Sequence, residues 1–407
     1  MKYNFDQIIE RRGTDCLKYD RTPKDVIPLW IADMDFATPD FVMEAIQKRL
    51  SCPVLGYPQI PKDYFKTIAG WVKKLHGWNV KPEWMCFVPG IVKGIGLVEW
   101  SLIPRGSKVI IQPPVYHPFR LVSQKNEMEL LYNPLIPVYE EECATGCGKG
   151  AGKRLVGYEM DFESLEKCME NGGKLLILSN PHNPAGICWS RETLEKVASL
   201  SAKHGVLVIS DEIHAEMAHK GFKHIPFASV SEEAAQNSIT FMSPSKTFNI
   251  AGVVSSYAIV PNPELRKRFF TFMEANELDN PSIFSAVVTM AAYKHGADWR
   301  KQMLRYVESN IAYVDKYLRR NIPCVKAMLP QASFLIWLDC SGLGLCQEKL
   351  VNFLVKKAHL FMNDGTMFGP EGAGFVRLNI ACPRSVLTQA LDQLRDAVAA
   401  MKCSCRK

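Results

Sequence analysis

The 407-residue sequence lacks any apolar run long enough to cross a membrane, which takes about 20 residues. Its first segment, residues 1–12, is charged and has no apolar core, so it does not look like a secretory signal. The apolar content of 47% and the charged content of 22% are ordinary for a globular protein. The sequence therefore predicts a cytoplasmic protein with no membrane partner.

Basic runs with interleaved aromatic residues, which are typical of nucleic-acid-binding proteins, are also missing, although the formal net charge is +7. No helix-turn-helix segment is evident before the main body of the chain, and no repeat of solenoid period is visible. We therefore expect no nucleic-acid partner. The surplus of positive charge suits anionic substrates or a phosphate-bearing ligand.

The thirteen cysteines form neither a disulfide framework nor a zinc-binding pattern. An odd number of cysteines in a chain without a secretory signal is typical of reduced thiols. The close pairs at 143 and 147 and at 403 and 405 have no further His or Cys at zinc-site spacing. We therefore predict no metal site.

A glycine-rich segment, GCGKGAGK at 146–153, looks at first like a phosphate-binding P-loop. The spacing fails, because Cys147 stands where the first P-loop glycine belongs and Arg154 replaces the final Ser or Thr. The composition instead predicts an exposed, flexible loop.

Three polar segments are present, and each directly follows a short apolar run. SNPHNPAG (179–186) follows residues 175–178, SDEIH (210–214) follows residues 206–209, and SPSKTFNIAG (243–252) follows residues 238–242. Between about residues 62 and 259 such runs alternate with helical patterns, which predicts a mostly parallel sheet with helices on both faces. Ligands bind at the carboxyl ends of such strands, so we expect the three segments to form one site.

The residue types in these segments are those that pyridoxal phosphate requires. Lys246 can form a Schiff base with an aldehyde, and the neighbouring hydroxyls and N–H groups can bind a phosphate. Asp211 can hold a proton on the pyridine nitrogen, and the amine of Lys246 can move a substrate proton. The simpler alternatives are a surface lysine, a helix N-cap at Asp211 and a plain turn at Asn183.

The chain resembles the fold-type I pyridoxal-phosphate enzymes of the aspartate aminotransferase superfamily and, within them, the MalY/PatB group of cystathionine β-lyases, or C–S lyases. The closer likeness rests on WIADMDF (30–36), PPVYHPF (113–119), DEIH (211–214) and VRLNIACPR (376–384). The resemblance implies an α/β fold of the fold-type I transferase class. It implies a large domain of residues 45–280, with a mostly parallel sheet between helices, and a smaller α/β domain of residues 1–44 and 281–407.

The resemblance also assigns roles around the cofactor. Asn183 would donate to the phenolic oxygen, and Tyr116 would stack on the pyridine face. His214 would line the pocket, with a packed neutral histidine as the alternative, and Arg377 would bind the substrate α-carboxylate unless it pairs with a core acid.

The phosphate would be bound by several segments of the chain. Residues Val92 and Lys93 would offer main-chain amides at the start of a helix, and Ser243 and Ser245 would offer hydroxyls. Tyr57 would reach the phosphate of the neighbouring subunit, unless it packs locally. The resemblance thus implies a homodimer with shared active sites.

The reaction implied by the resemblance is β-elimination from L-cystathionine or cysteine S-conjugates, giving a thiol, pyruvate and ammonia. One alternative is an aminotransferase on the same scaffold, and another is a regulatory binding protein that acts through protein partners. Nothing in the residues ranks one sulfur amino acid above another.

Overall fold

The computed structural model describes residues 2–141 and 153–404 of the chain. The predicted glycine-rich loop and Cys143, Cys147 and Cys405 therefore lie almost wholly outside the described residues. Across the described ranges, no helix is both long and apolar enough to span a bilayer.

The described strands are short, and most of them belong to two sheets. In chain order they are β1 Ile27–Pro28, β2 Met85–Val88, β3 Lys108–Ile111, β4 Glu129–Tyr132, β5 Ile136–Glu141, β6 Lys153–Glu159, β7 Gly173–Ser179, β8 Leu207–Asp211, β9 Ser238–Met242, β10 Ser256–Ile259, β11 Lys326–Met328, β12 Leu335–Asp339, β13 Leu360–Phe361, β14 Asn363–Asp364 and β15 Phe375–Asn379.

The described helices cover the sheets and connect their strands. In chain order they are α1 Leu17–Asp20, α2 Asp40–Leu50, α3 Tyr64–His76, α4 Ile91–Leu102, α5 Pro118–Lys125, α6 Phe162–Glu170, α7 Arg191–His204, α8 Glu232–Gln236, α9 Pro263–Ala275, α10 Ile283–His295, α11 Ala297–Asn321, α12 Gln347–Lys356 and α13 Arg384–Ser404.

The seven-stranded sheet has the order β2-β10-β9-β8-β7-β3-β4. Strands β4, β3, β7, β8 and β9 run parallel, and β10 and β2 form an antiparallel edge. The predicted fold-type I α/β architecture, with a mostly parallel sheet between helices, is thus confirmed. The three strands that precede the polar segments are neighbours, so their carboxyl ends meet at one edge.

Both faces of this sheet are buried under helices. Successive side chains of a strand point to opposite faces, so neighbouring residues pack into different apolar clusters. In β7, Leu176 and Leu178 pack into one apolar cluster with residues of α6 and α7. Leu175 and Ile177 pack into a second cluster with residues of α4, α5 and α9. This sandwich holds the strand ends rigidly under the candidate site.

The helix predicted at 190–204 shows how local sequence sets an element boundary. Ser190 is the N-cap of α7, and its hydroxyl accepts a hydrogen bond from the N–H of Thr193. Gly205 ends the helix in the left-handed region, with φ of 63°. The following turn delivers the chain directly into β8.

The second sheet, of order β11-β12-β15-β14, is antiparallel and is built from the C-terminal part of the chain. Strand β1 pairs in parallel with β13, so the N-terminal segment is hydrogen-bonded to this C-terminal part. That pairing agrees with the expected grouping of residues 1–44 with 281–407. The domain boundaries themselves stay a prediction.

Candidate active site

Lys246 lies in the turn that follows β9, and its side chain is partly buried. Its Nζ donates a hydrogen bond to the carbonyl oxygen of Ala32 at 2.7 Å. Burial lowers the pKa of Lys246 to about 8. The negative charge of Asp33 opposes this shift, the positive charge of Arg377 adds to it, and the negative charge of Asp211 opposes it. At pH 7 about one tenth of this amine is therefore uncharged and able to attack an aldehyde, and this fraction grows as the pH rises toward 8.

Asp211 is the last residue of β8 and is 5% exposed. Its Oδ1 accepts a hydrogen bond from the N–H of Ile213 at 3.1 Å. Burial raises the pKa of Asp211 to about 7, because one N–H group and the amine of Lys246 compensate only part of the lost hydration. A cation placed against this carboxylate would restore its charge.

Glu212 has a structural role that the sequence did not reveal. Its Oε1 accepts hydrogen bonds from the Ser210 hydroxyl at 2.9 Å and the Phe227 N–H at 2.8 Å, and its Oε2 lies 2.8 Å from His224 Nε2. All of these groups are buried. The network ties the end of β8 to the segment at 224–227 and so positions Asp211.

Arg377 and Asn183 contact each other across the site. Arg377, on β15, donates to Asn183 Oδ1 at 2.9 Å, to Asn363 Oδ1 at 2.6 Å and to the carbonyl of Trp30 at 3.1 Å. Its guanidinium lies 5.0 Å from the centre of the Phe368 ring. Because the Asn183 oxygen faces Arg377, its amide nitrogen is the group left to donate to a ligand.

The guanidinium of Arg377 is buried without a carboxylate partner among the described residues. Burial lowers the pKa of Arg377 to about 10, and its Nε has no acceptor within the described part of the chain. The alternative reading, an arginine paired with a core acid, therefore does not hold for the described residues. An α-carboxylate would supply the missing negative charge.

The WIADMDF segment at 30–36 forms a loop against the site, and two asparagines hold it there. Asn379 donates to the carbonyls of Ile31 and Asp33, at 2.6 and 2.7 Å. Asn249, three residues after the lysine, accepts from the N–H of Met34 at 3.0 Å and donates to its carbonyl at 2.9 Å. These bonds bring the Ala32 carbonyl to Lys246.

Two cationic side chains form ion pairs with carboxylates of the same loop. Arg11 lies 2.6 Å from carboxylate oxygens of both Asp33 and Asp35, and Lys18 lies 2.8 Å from Asp35. The Lys18 side chain is fully buried. Removal of either cation would leave a buried carboxylate with fewer partners, so this cluster supports the loop rather than reacting itself.

Tyr116 lies near Arg377 and Asp211, and His214 lies near Lys246 and Arg377. Burial raises the pKa of Tyr116, and the charges of Arg377 and Asp211 both act on it, which places its ring near both groups. His214 is buried, its Nδ1 has no partner among the described residues, and burial lowers its pKa to about 3. A neutral His214 can therefore offer a polar ring atom to a ligand.

The phosphate-binding groups predicted from the sequence lie at the start of α4 and after β9. The N–H groups of Ile91, Val92 and Lys93 have no acceptor among the described residues, as expected for the first turn of a helix. Ser243 and Ser245 place their hydroxyls 2.8 Å apart. The Ser243 hydroxyl also donates to the Ser255 carbonyl, so Ser245 is the better placed donor of the two.

Tyr57 stands apart from the other predicted residues. Its side chain is fully exposed, and it makes no hydrogen bond or ring contact with another described residue. It belongs to an exposed stretch at 51–59 that has no helix or strand. The alternative of a locally packed tyrosine is therefore wrong for the single chain.

The residues of the site fit three different groups of pyridoxal phosphate: its aldehyde, its ring nitrogen and its phosphate. A partly neutral amine suits the aldehyde, and a buried carboxylate without a strong cation partner suits the ring nitrogen. The unpaired N–H groups at the start of α4 suit the phosphate. The role of each individual residue stays a prediction.

Comparisons with known proteins agree with this geometry. The family model "aminotransferase class I and II" matches residues 24–394. The chain is 39% identical over 402 residues to cystathionine β-lyase PatB of Bacillus subtilis (strain 168), covering 97% of this chain and 100% of that protein. It is 30% identical over 410 residues to protein MalY of Escherichia coli (strain K12), covering 98% and 100%. The crystal structure of cystalysin from Treponema denticola, which contains a pyridoxal 5'-phosphate cofactor, matches with a TM-score of 0.90 at 31% identity, covering 98% and 100%.

Proposed function

Because this chain belongs to the class I and II aminotransferase family and, within it, to the MalY/PatB group of cystathionine β-lyases, we propose that it is a pyridoxal-phosphate-dependent carbon–sulfur lyase. Its substrates are sulfur amino acids such as L-cystathionine or cysteine S-conjugates. The observation that carries this proposal is that the charges of Asp211 and Arg377 both act on the amine of Lys246, so that an acid from the parallel sheet and an arginine from β15 meet at this lysine.

When bound, pyridoxal phosphate supplies an electron sink that stabilises a carbanion at the substrate Cα. In our proposal Lys246 binds the aldehyde carbon and Asp211 holds a proton on the ring nitrogen. The N–H groups of Val92 and Lys93 and the hydroxyls of Ser243 and Ser245 bind the phosphate, with Ser245 as the main hydroxyl donor. Tyr116 packs on the ring, His214 lines the pocket and the amide nitrogen of Asn183 donates to the phenolic oxygen.

Arg377 binds the substrate α-carboxylate through the planar fork of its guanidinium. Its contacts with Asn183, Asn363 and Trp30 fix the orientation of that fork before substrate arrives. A preoriented fork reduces the entropy lost on binding. It also fixes which bond at Cα faces Lys246, and this choice decides the reaction.

Lys246 then acts as the base. Once the substrate amine has taken its place on the aldehyde carbon, the freed Nζ of Lys246 would take the Cα proton as the Cα–H and Cβ–S bonds break, and the sulfur would leave as a thiolate. The released aminoacrylate reacts with water to give pyruvate and ammonia. The lowered pKa of Lys246 keeps its amine available as a base near neutral pH.

The homodimer is part of the proposal, and the exposed stretch at 51–59 supports it. Val54 is 67% exposed, Leu55 is 58% exposed and Tyr57 is fully exposed, which is unfavourable for a chain that stays alone in water. We infer that this stretch packs on a second copy of the chain and brings Tyr57 to the phosphate of that copy.

Hybrid dimers test the shared site directly. A dimer of one Lys246→Ala chain and one Tyr57→Phe chain has one fully intact site only if Tyr57 acts across the interface. Half of the sites should then bind cofactor with wild-type affinity. If Tyr57 acts within its own chain, no site of the hybrid dimer is intact.

The cytoplasmic location stays a prediction as well. The cysteines whose side chains the structure describes are free thiols, which supports a reducing compartment. Fractionation of cells that express the tagged chain would test it.

Purified protein tests the reaction type in one sample. With L-cystathionine and 2-oxoglutarate both present, pyruvate and thiol should appear together, and glutamate should form far more slowly. Faster glutamate formation would make the chain an aminotransferase. Neither product from any sulfur amino acid would favour the regulatory binding protein.

A further inference from the structure

A cavity of about 400 Å³ lies beside the candidate site, and among its lining residues only Tyr116 has been given a role in the chemistry described above. Its walls come from the end of β3, the start of α5, Tyr132 of β4 and the segment at 367–371. Most of the lining is apolar, including Ile111, Val115 and Met367. Such a wall suits the methylene groups of a thioether.

One phenyl ring connects this cavity to the site. The Arg377 guanidinium lies 5.0 Å from the centre of the Phe368 ring, and the His117 ring packs edge-on against the same ring at 6.0 Å. Tyr116 also lines the cavity. A substrate held by its α-carboxylate on Arg377 can therefore extend its sulfur substituent along Phe368 into the cavity.

Three polar side chains of the cavity lack partners. Arg120, in the first turn of α5, is partly buried and makes no hydrogen bond or ion pair with the described residues. The Oε2 of Glu371 and the Nδ1 of His117 are buried and likewise have no partner there. Buried polar atoms such as those of Glu371 and His117 are rarely left without a partner, because each loses hydration without compensation, and the partly buried Arg120 adds a positive charge to the same wall.

The local backbone accommodates the Glu371 carboxylate at close range. Gly369 has a φ of 137°, and a Cβ at this position would lie 2.6 Å from Glu371 Oε2 and 2.7 Å from Pro113 Cβ. Only glycine permits this approach. The carboxylate is therefore built into the wall by the fold of the segment.

We propose that this cavity binds the far end of the sulfur substituent and that Arg120 and Glu371 select substituents ending in a zwitterionic amino-acid group. Arg120 binds the distal carboxylate and Glu371 binds the distal ammonium, while the apolar wall contacts the methylene groups between them. L-cystathionine has this chemistry. The inference rests on the proposed β-elimination and names the class of substrate that the site prefers.

The test compares L-cystathionine with S-propyl-L-cysteine, which has the same three-carbon stem and lacks the distal ammonium and carboxylate. In the wild-type holoenzyme, kcat/KM for pyruvate release should be higher with L-cystathionine. Arg120→Gln or Glu371→Gln should each lower the ratio of the two kcat/KM values about 10- to 100-fold, the usual effect of losing one hydrogen bond to a charged group. Arg105→Gln and Glu127→Gln, which alter an exposed ion pair, are matched controls.

Half-charged probes separate the two roles. S-(3-carboxypropyl)-L-cysteine keeps the three-carbon stem and has only the distal carboxylate, so Arg120→Gln should impair its turnover more than Glu371→Gln does. S-(3-aminopropyl)-L-cysteine has only the distal ammonium, and the order should reverse. Arg120→Lys and Glu371→Asp should recover part of the selectivity, which a merely structural role would not produce.

If Arg120→Gln and Glu371→Gln each change kcat/KM equally for L-cystathionine and S-propyl-L-cysteine, the inference is overturned. It is also overturned if the wild-type enzyme has the same kcat/KM for both compounds. If a glutamine variant fails to fold, the conservative variants Arg120→Lys and Glu371→Asp still test the assignment, because each should change the ratio of the two kcat/KM values in the same direction to a smaller extent. Failure of the proposed function looks different, because the wild-type enzyme would then release pyruvate from none of the four thioethers.

Discussion

Replacement of Arg377 by alanine should raise KM steeply and leave part of the turnover at saturating substrate. A bidentate contact with a carboxylate comprises two charge-assisted hydrogen bonds of ~1.5–3 kcal/mol each, so their loss amounts to ~3–6 kcal/mol. That free energy corresponds to a decrease in kcat/KM of about 10²- to 10⁴-fold. Most of it should appear in KM, because the carboxylate is bound in the ground state and the transition state alike.

The same replacement should also destabilise the protein. Arg377 donates to the oxygens of Asn183 and Asn363, both buried, and each would lose its donor, at a cost of ~1–3 kcal/mol per unpaired group. Arg377→Lys keeps the charge but not the fork, so its kcat/KM should fall between those of the wild type and the alanine variant.

The assay measures initial rates of pyruvate release over a wide range of L-cystathionine concentrations. Cofactor content and the thermal midpoint are measured on the same samples, and Arg105→Ala, at an exposed position, is the control. A KM within threefold of the wild-type value in a folded, cofactor-loaded Arg377→Ala enzyme would refute the assignment of the carboxylate site.

Three further predictions follow from the geometry of the site. Asp211→Asn should bind cofactor weakly and lower kcat about 10²-fold or more, because the proton on the ring nitrogen loses its partner; a near-normal kcat would contradict this. The pKa of Lys246, lowered to about 8 by burial, means that the neutral amine accumulates as pH rises through 8. Rapid mixing of cofactor with cofactor-free protein should therefore give an attachment rate that increases up to about pH 8 and then levels off, whereas an ordinary lysine would show a continued rise toward pH 10. Tyr57→Phe should weaken cofactor binding without altering the sedimentation of the dimer, and an active wild-type monomer would rule out the shared site.

The sheet edge could be predicted from the sequence because it depends on residue patterns within short segments of the chain. An apolar run followed by polar residues marks a strand end, and the alternation with helices predicts parallel strands. Strands β7, β8 and β9 are indeed parallel neighbours, so Asn183, Asp211 and Lys246 approach one edge. The antiparallel edge strands β10 and β2 have no equally local signal.

Contacts between distant segments could not be predicted in the same way. Asn183 and Arg377 are 194 positions apart, and the amide oxygen that faces the arginine is known only once β15 is placed beside the site. The Ala32 carbonyl is 214 positions from Lys246. A main-chain oxygen has no sequence signature at all.

The cavity residues Arg120 and Glu371 illustrate a second limit. Both belong to segments whose local pattern predicts ordinary exposed charges, one on a helix and one in a Pro-Glu-Gly turn. Their significance comes from partners that are missing, and an absent partner becomes visible only in three dimensions. Sequence patterns therefore located the chemistry better than they located the specificity.

We propose that the edge formed by β7, β8 and β9 binds pyridoxal phosphate covalently through Lys246. Borohydride reduction of the purified holoenzyme, followed by proteolysis and mass spectrometry, tests it most directly. We expect a single pyridoxyl-modified peptide containing Lys246, which is lost in Lys246→Ala together with pyruvate release. A pyridoxyl group on any other lysine, or an unmodified Lys246 in active enzyme, would contradict it.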